Sequence, residues 1–404
     1  MARVAVTGLG AVTAFGPGVA ALVDGVAAGR CVIGPLTLFA HHGRCRVAAE
    51  VPTVPEVATH VFPPATARRL SRSDRLALAA AEEACRDAGL GPEVRRAAAL
   101  YLGGSVGGMQ EAAFAWRGRA TGEQRRWRLS RLVATPVAVT GAVVAQALGI
   151  FGPRIAFCTA CSSSALAVAE AAAAVAGGVV EVALVVGTDA LCHLTYAGFD
   201  ALQALDHGPC RPFDAERAGL SLGEGAAALV LERAGHARGR KAEILAYVLG
   251  AGMAADAYHP TAPHPEGAGA LRALRQALEA AGVPPHAVDY VNAHGTGTRQ
   301  NDAIEVGVLR EVFGERLPAI PISSTKSQLG HTLGAAGAIE AVVSVLALRH
   351  GIVPPTVNLR EPEDAWQSLD FVAGRSRRQS LGIAVSSSYG FGGHDVSLVF
   401  GRGD

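Results

Sequence analysis

The chain carries almost no net charge. Its 36 Lys and Arg residues nearly balance 35 Asp and Glu residues, which leaves a formal charge of +1 at pH 7. A protein that neutralises many phosphates needs a clear positive excess, so we expect no nucleic-acid partner. Cysteine is scarce too: seven in 404 residues, an odd number, make no disulfide framework and are typical of a reducing compartment.

Long uninterrupted apolar runs are also missing. The alanine-rich runs contain Glu or Gly and stay below the length that spans a membrane. The first eight residues predict a strand entering a turn and lack the layout of a signal peptide. Half of the residues are nevertheless apolar and only 18% are charged, which supports a large core. We therefore expect a soluble cytoplasmic protein with no membrane partner, built as one large domain or two fused ones.

Short apolar, β-rich runs alternate with alanine-rich helical stretches, and this alternation predicts an α/β fold. The strand candidates are Arg3–Thr7, Ala98–Gly103, Arg154–Cys158, Val182–Gly187, Ala226–Leu231, Glu243–Leu249, Asp289–Asn292, Ile320–Ser323, Gly382–Ser386 and Val396–Phe400. The helix candidates are Ser73–Ala88, Val137–Leu148, Ser162–Ala176, Gly267–Ala281, Ala303–Phe313 and Gly334–Arg349. Gly8, Gly10 and Gly16 only loosely resemble a dinucleotide-binding loop, so we interpret them as a turn.

A faint internal repeat indicates two similar halves. Residues 159–177 can be laid against residues 333–351, because both open with small residues, continue as apolar helices and end at Gly. Each helix contains one Glu, Glu170 in the first and Glu340 in the second. A helix that is apolar all round is a buried helix. We therefore predict one compact unit with both helices at its centre, divided into residues 1–240 and 241–404.

Cys161 lies between a predicted strand and a predicted helix, with a tight turn on its N-terminal side. Unpaired backbone N–H groups and the positive end of the dipole surround the first turn of a helix, and both favour a thiolate. The pattern therefore predicts a nucleophilic cysteine. Cys158 stands three residues earlier, but no second cysteine pair shares that spacing, so we expect no metal site and place Cys158 in the core.

Four further segments are dense in polar residues within apolar surroundings. Strand-end loops carry the sites of α/β enzymes, and these segments are predicted to be such loops. They are Asn292–Thr298, Ser323–His331, Ser388–His394 and Asp256–Thr261. Any one of 13 histidines is more often structural than functional, and a glycine loop is most often a turn. The combination of a helix-capping cysteine, His294, His331 and a lysine five residues before His331 indicates an active site.

These residues resemble the β-ketoacyl-acyl-carrier-protein synthases of the type II elongating kind, within the thiolase superfamily. The resemblance covers nearly the whole chain, from Arg3–Gly10 to Gly390–Gly393, and its specific motifs are Thr159–Ser163, Asn292–Thr298 and Ser324–Gly337. It implies a thiolase-like, five-layered α-β-α-β-α fold of two duplicated halves, in agreement with the repeat. It also implies a homodimer, or a heterodimer with a related chain-length subunit.

The resemblance implies a two-stage reaction. Cys161 takes an acyl group from the phosphopantetheine of an acyl carrier protein, and the enolate formed from a malonyl thioester then attacks that acyl group. The backbone N–H groups of Cys161 and Phe391 match the oxyanion hole, while His294 and His331 match the donors to the enolate. Lys326 and Glu305 match a buried pair that holds His331 in place.

The remaining implied residues bind the substrate or its carrier. The pantetheine-binding and substrate-binding positions match Thr296, Thr298, Thr261, Phe391, Gly392 and Gly393. An acidic carrier protein would suit the basic cluster Arg68, Arg69, Arg72 and Arg75, for which a solvated helix face is the plain alternative. A second basic stretch runs from Arg117 to Arg131 with Trp116 and Trp127 interleaved. The resemblance implies no cofactor apart from the carrier's phosphopantetheine.

Some residues depart from the family pattern. Arg299 and Gln300 follow the His294 motif, Tyr389 replaces a usual Phe, and Asp395 stands where Asn is common and faces Asp256. Two facing carboxylates repel or share a proton, so we expect altered loop gating. These departures favour specialised polyketide or polyene biosynthesis over housekeeping fatty-acid elongation.

Three other functions remain open to different degrees. A synthase repurposed for intramolecular cyclisation or offloading would use the same acyl-cysteine. A non-catalytic chain-length subunit would lack the cysteine that is present here. A degradative thiolase would carry a second catalytic cysteine near the C-terminus, whereas the last cysteine of this chain is Cys210.

Overall fold

The computed structural model describes residues 2–56, 61–122 and 130–404. Part of the second basic stretch, including Trp127, lies outside the described residues. The strands are β1 Val4–Thr13, β2 Gly16–Pro17, β3 Gly34–Pro35, β4 Val47–Ala49, β5 Ala99–Gly103, β6 Arg154–Phe157, β7 Val182–Asp189, β8 Leu222–Gly223, β9 Gly225–Arg233, β10 Ala246–Ala255, β11 Tyr290–Asn292, β12 Ile322–Ser323, β13 Ile352–Val353, β14 Arg377–Arg378, β15 Ile383–Gly390 and β16 His394–Arg402.

The helices alternate with these strands, as the alternation of apolar and alanine-rich runs in the sequence predicted. They are α1 Val19–Ala27, α2 Pro64–Ala67, α3 Arg72–Asp87, α4 Pro92–Ala97, α5 Met109–Ala120, α6 Ser130–Val133, α7 Val137–Leu148, α8 Ser163–Ala176, α9 His193–Ala201, α10 Ala234–Gly239, α11 Ala268–Ala281, α12 Arg299–Phe313, α13 Lys326–Leu329 and α14 Ala336–His350. The six predicted helices agree with α3, α7, α8, α11, α12 and α14 to within a few residues at each end.

The large sheet joins the two halves of the chain. Its strand order is β12-β11-β15-β16-β10-β1-β9-β7-β5-β6, and the halves meet where β1 pairs antiparallel with β10. Helices α8 and α14 lie side by side between the two halves of the sheet, while α3 and α7 cover one outer face and α11 and α12 cover the other. The result is the predicted five-layered α-β-α-β-α fold.

The two central helices approach each other closely because small residues line their contact. A Cβ on Gly337 of α14 would lie 2.5 Å from the backbone nitrogen of Ala165 on α8. Most of each helix is buried, as expected for helices that are apolar on all sides. Leu333–His350 is long and apolar enough to cross a membrane, but 83% of it is buried inside the protein, so it is a core helix here.

The expected turn at Gly8 and Gly10 is wrong, because both residues lie inside β1. A Cβ on Gly8 would lie 2.3 Å from the Ala84 carbonyl oxygen, and one on Gly10 would lie 1.9 Å from that of Ala80. The glycines therefore allow the backbone of α3 to pack directly on the strand. The start of α3 is fixed by a capping box in which Ser71 and Asp74 exchange hydrogen bonds.

The placement of Cys158 in the core is also wrong. Cys158 is exposed, because the preceding strand β6 is the outermost strand of the sheet and its residues are largely solvent-accessible. Phe151 and Ile155 beside it are exposed large apolar side chains. An unpaired strand edge with exposed apolar residues is a surface that favours pairing with another chain.

Candidate active site

The predicted nucleophile lies where strand β6 leads into helix α8. Cys161 is the middle residue of a 3₁₀ turn, Ala160–Ser162, that precedes the helix directly. Ala160 has a φ of 51°, an unusual value for a residue with a side chain. The turn is braced by Ser163, whose hydroxyl donates to the Ala160 carbonyl at 2.6 Å and accepts from the Thr159 N–H at 2.9 Å. The thiol is thereby presented at the helix N-terminus, as expected.

Burial of Cys161 opposes the thiolate that the helix N-terminus favours. Burial raises the pKa of the Cys161 thiol to about 12, even though Lys326 and the backbone N–H of Phe391 act to lower it. The side chain is only 6% exposed, so water does little to stabilise a negative charge on sulfur. In the closed site, burial therefore favours the protonated form of the thiol.

Two histidines face each other beside the cysteine. The rings of His294 and His331 are 5.4 Å apart and nearly perpendicular. Burial, with Lys326 nearby, holds the pKa of both imidazoles well below the usual value, so both are neutral at physiological pH. His331 Nδ1 accepts the Leu333 N–H at 3.2 Å, and its Nε2 has no partner among the described residues.

The tautomer of each ring follows from these contacts. Lys326 Nζ lies 3.3 Å from His294 Nδ1 and can only donate, so that nitrogen is an acceptor. The Nδ1 of His331 is likewise an acceptor, because it faces a backbone N–H. A neutral ring whose Nδ1 accepts carries its proton on Nε2. The two histidines therefore offer two N–H donors to a ligand beside Cys161.

The predicted pairing of Lys326 with Glu305 is wrong. The ammonium group of Lys326 forms its ion pair with Glu340, on central helix α14, and donates to the His294 carbonyl oxygen at 2.6 Å. Lys326 is the first residue of the short helix α13, and the carboxylate that its ammonium group reaches is that of Glu340. The lysine thus contacts His294 directly, rather than holding His331 as expected.

Glu305 has a different task in the structure. Its two carboxylate oxygens accept the backbone N–H groups of His294 and Gly295, each at 2.7 Å. Burial raises the pKa of Glu305 to about 7, although these two N–H donors act to lower it. Asp302 continues this arrangement one turn earlier in α12, where it accepts the N–H groups of Thr296 and Gly297. Helix α12 thus fixes the shape of the loop that carries His294.

The glycine-rich segment after β15 is the tip of the β15–β16 hairpin. The backbone N–H of Phe391 is close enough to the sulfur of Cys161 to lower the pKa of the thiol, and the ring of Phe391 stacks on Phe199 with centroids 5.5 Å apart. Gly392 and Gly393 have φ values of 88° and 71°, which favour glycine. The tip therefore covers the thiol and directs a peptide N–H towards it.

One cavity of about 400 Å³ connects most of the predicted site residues. The predicted residues that line it are Cys161, His294, His331, Thr296, Thr298, Thr261, Phe391, Gly392 and Gly393. Lys326 and Glu305 are buried behind the wall rather than in it. The hydroxyl groups of Thr296 and Thr298 lie 2.9 Å apart, so one donates to the other and leaves the second proton for a ligand.

The basic cluster at the start of α3 separates into two kinds of residue. Arg68 and Arg69 are exposed. Arg72 is not available for docking, because its guanidinium group binds the buried carboxylate of Glu224 and the carbonyl oxygen of Val51. The prediction that Arg72 docks a carrier protein is therefore wrong, and its role is structural.

Sequence reasoning missed two carboxylates that shape the site. In the sequence, Glu340 stands out only as a glutamate inside an apolar helix. That observation was a usable signal, because a buried charge needs a partner of opposite charge. Asp189 at the end of β7 accepts the N–H groups of Ser105, Val106 and Gly334, and no pattern in the sequence indicated it. Among the described residues no cluster of three or more metal-binding side chains is arranged to hold a metal ion.

The fold and the site together define a class of protein. Paired central helices between two half-sheets, with a buried cysteine at the start of one helix and histidines supplied by the other half, are the arrangement of a thiolase-like condensing enzyme. Chemically, such a cysteine can act as a nucleophile, and the peptide and imidazole N–H groups can donate to a developing negative charge.

Comparisons with known proteins place the chain within this class. The N-terminal domain description of the beta-ketoacyl synthases matches residues 1–237, and the C-terminal domain description matches residues 245–360. The chain is 36% identical to the 3-oxoacyl-[acyl-carrier-protein] synthase 2 of Synechocystis, over 98% of this chain and 97% of the relative. The chain belongs to the beta-ketoacyl synthase family.

Solved structures agree with the fold. The ishigamide ketosynthase/chain length factor superposes with a TM-score of 0.92 at 33% identity and covers 99% of both chains. A type II PKS acyl-carrier protein in complex with its ketosynthase, bound to the hexaketide, superposes with a TM-score of 0.89 at 27% identity and covers 100% of both chains.

Proposed function

We propose that this protein transfers an acyl group from an acyl carrier protein to Cys161 and condenses it with a malonyl unit held on a carrier protein. The observation that carries the proposal is the convergence of Cys161 with two imidazole N–H donors in one cavity. A nucleophile alone would suit many acyl transfers, whereas two adjacent neutral donors suit an enolate, which is generated and consumed without exchange of a proton with the donors.

In the first stage the sulfur of Cys161 attacks the thioester carbonyl of the acyl chain. The backbone N–H groups of Cys161 and Phe391 stabilise the oxyanion, for which each donor is typically worth about 10²–10³ in rate. The carbon–sulfur bond to pantetheine then breaks. The exchange is neutral in protons, because the proton of Cys161 ends on the released pantetheine thiol. The raised pKa of the resting thiol is therefore compatible with the reaction.

In the second stage the malonyl thioester enters the same cavity. Its carbon–carboxylate bond breaks and releases CO2, and the thioester oxygen takes up the negative charge of the enolate. The Nε2–H groups of His294 and His331 donate to that oxygen. The enolate carbon attacks the acyl carbonyl on Cys161, and collapse of the tetrahedral intermediate expels the cysteine sulfur, which regains a proton. The product is a β-ketoacyl thioester on the carrier.

Lys326 and Glu305 act through the histidines. The ammonium group of Lys326 donates towards His294 and lies between its ring and Glu340, which fixes the tautomer and opposes protonation of the ring. Glu305 holds the backbone of His294 and Gly295. The hydroxyls of Thr296 and Thr298, with Thr261 at the exposed side of the cavity, are positioned to bind the amides of a pantetheine arm.

The partners follow from the same proposal. A solved relative is a ketosynthase bound to an acyl-carrier protein, and another is a ketosynthase/chain length factor. Arg68 and Arg69 offer exposed positive charge to an acidic carrier. The exposed edge strand β6 offers a surface for a second chain, either a copy of this one or a chain-length subunit. No cofactor is required beyond phosphopantetheine, and we place the reaction in the cytoplasm and in specialised polyketide or polyene biosynthesis.

The test supplies the protein with acyl carrier protein and malonyl carrier protein. Mass spectrometry follows acylation of Cys161 while CO2 release and the β-ketoacyl product are measured. Condensation gives all three signals. Acylation without CO2 release would instead indicate intramolecular cyclisation or offloading, and absence of acylation would contradict both and favour a non-catalytic subunit.

A further inference from the structure

A pair of facing carboxyl groups lies directly behind the hairpin tip. Asp395 is the second residue of β16 and is buried, with 4% of its surface exposed. Its Oδ2 has no hydrogen-bond partner among the described residues. Asp256 follows the end of β10. A Cβ on Gly269 would lie 2.3 Å from Asp395 Oδ2 and 2.6 Å from Asp256 Oδ1, so the two carboxyl groups meet where that glycine has no side chain.

The two carboxyl groups are not equivalent. Asp256 accepts the backbone N–H of Gly269 in the first turn of α11 at 2.9 Å and that of His264 at 2.8 Å. Both carboxylate oxygens of Asp256 thus have a hydrogen-bond donor. Asp395 has no such donor at Oδ2. The negative charge of Asp256 therefore acts on a neighbouring carboxyl group that has nothing to compensate it at that oxygen.

The other groups around Asp395 do not neutralise a negative charge on its carboxyl group. Arg272 of α11 is the cation that acts on Asp395, but its guanidinium group donates to the Ala255 carbonyl oxygen. Tyr389 lies opposite Asp395 on the neighbouring strand and is neutral, since burial raises its pKa well above the usual value. Burial and the charge of Asp256 together raise the pKa of Asp395 to about 7, against the smaller opposing effect of Arg272.

The carboxyl pair is mechanically connected to the oxyanion donor. The N–H of Asp256 donates to the Gly393 carbonyl at 2.8 Å, and the N–H of Gly392 donates to the Pro260 carbonyl at 2.8 Å. These bonds tie the hairpin tip to residues 256–260. The same tip carries the Phe391 N–H that reaches Cys161. A repulsion between Asp395 and Asp256 would therefore push the oxyanion donor away from the nucleophile.

We propose that Asp395 is a positioning residue that keeps the Phe391 tip closed over Cys161 only while it carries a proton, so that proton uptake at this pair closes the active site. The inference rests on the proposed function only for its catalytic consequence, because closure of the tip over Cys161 can be measured without any carrier protein.

The direction of the pH effect follows from linkage. The closed tip binds a proton on Asp395 more tightly than an open tip, in which the carboxyl group is hydrated and titrates near its ordinary value of about 3.9. Closure is therefore most favourable below that value. It weakens as the pH rises towards 7 by at most about tenfold in the equilibrium constant per pH unit, and changes little above 7.

The test measures how fast a maleimide alkylates Cys161, with peptide-resolved mass spectrometry, from pH 5.5 to 8.5. Exposed Cys31 in the same molecule serves as an internal reference for maleimide reactivity. The wild-type rate is divided by that of Asp395→Asn, because ionisation of the thiol contributes to both. An asparagine keeps the shape and donates to Asp256 at every pH. We expect the ratio to rise several-fold between pH 5.5 and 7 and then to level off.

Two further variants keep the test decisive. Asp289→Asn changes an aspartate at the opposite end of β15, where Asp289 accepts the N–H groups of Gly382 and Ile383, so its ratio to wild type should not vary with pH. Asp256→Asn removes the repelling charge, so the wild-type rate divided by the Asp256→Asn rate should also rise between pH 5.5 and 7, even if Asp395→Asn folds poorly. A ratio that is flat across the range for either variant would overturn the proposal.

Turnover gives a second readout. If the protein condenses carrier-bound substrates, the same ratio of kcat/KM between Asp395→Asn and wild type should rise with pH over the same interval. Absence of condensation in every variant would count against the proposed function alone, because the alkylation experiment still reports on the tip.

Discussion

The two central helices, α8 and α14, begin with the same kind of turn, but the two turns contribute differently to the site. Helix α8 is preceded by the 3₁₀ turn Ala160–Ser162, and helix α14 by the 3₁₀ turn Leu333–Ala335. Each turn begins with a residue other than glycine at a positive φ, 51° at Ala160 and 53° at Leu333. Such residues are uncommon, and their recurrence at matching positions shows that duplication preserved the backbone of the turn.

The difference lies in the residue that follows. Cys161 in the first turn presents its thiol to the cavity, whereas its counterpart Gly334 has no side chain and donates its N–H to Asp189 at 2.7 Å. The second turn acts instead through the preceding residues, because the Leu333 N–H fixes the ring of His331. In the proposed reaction, one turn thus supplies the nucleophile and the other positions an enolate donor. The two turns share a backbone geometry. Their chemical roles differ because the first exposes a thiol to the cavity and the second directs a backbone N–H to His331.

Removing the nucleophile tests this division most strongly. Cys161→Ala should lower acyl transfer by several orders of magnitude, since nothing else in the cavity replaces the thiol. Release of CO2 from malonyl carrier protein should continue, because His294 and His331 belong to the other half. Separate assays of protein acylation and of CO2 release check this. Loss of both activities in a folded variant would show that the halves do not divide the work as described.

The ion pair behind the histidines gives the next largest effect. Lys326→Met leaves Glu340 buried without its cation, which typically costs about 3–5 kcal/mol, and thermal or urea unfolding measures that loss. Adding Glu340→Gln should recover much of the stability.

The same lysine variant combined with Glu305→Gln is the matched control. Glu305 accepts two backbone N–H groups and makes no ion pair with Lys326, so this second change should not restore stability. Recovery by Glu305→Gln, and not by Glu340→Gln, would return the lysine to the partner first expected from the sequence.

The wrong partner predicted for Lys326 shows which features the sequence could predict and which it could not. The alternation of elements, the paired central helices and the cavity residues Cys161, His294 and His331 could be predicted, because periodicity and motif spacing are local properties. The helix repeat was placed one residue out of register, since Leu333 corresponds to Ala160 rather than to Thr159.

The errors concern contacts between segments distant in sequence. Which of two buried glutamates meets Lys326 depends on how α12 and α14 pack, and no spacing reveals it. The burial of Cys161, which raises the pKa of its thiol, depends on how completely the hairpin tip covers it. Likewise, Cys158 is exposed only because β6 is the last strand of its sheet.

The glycine at the second turn predicts a moderate effect. A Cβ on Gly334 would lie 2.7 Å from both Asp189 Oδ2 and the backbone of Gly104, so Gly334→Ala should overpack the site and cost about 1–3 kcal/mol. Gly307 of α12 has open space around it, so Gly307→Ala should be neutral or stabilising by up to about 1 kcal/mol. Denaturant unfolding compares the two. If neither alanine lowered the free energy of unfolding, the second turn would have room for a side chain at Gly334.

The smallest expected effect separates the two turns at their matching strained residues. Glycine adopts a positive φ without the steric cost of a Cβ, which is about 1–2 kcal/mol for other residues. Ala160 is only partly buried, so Ala160→Gly should change the free energy of unfolding by less than about 1 kcal/mol, in the stabilising direction, because relief of strain slightly exceeds the added freedom of the unfolded chain. Leu333 is buried in the core around Tyr196 and Leu222.

Leu333→Gly relieves the same strain but empties a core position, which typically costs about 2–5 kcal/mol. The two substitutions should therefore shift the unfolding midpoint in opposite directions, although they change the same backbone geometry. Stabilisation by both would mean that Leu333 contributes little packing, and destabilisation by both would mean that the positive φ at Ala160 carries no strain. The first result would mean that the two turns differ less in packing than the burial of Leu333 indicates, and the second that they are less strained than their φ values indicate.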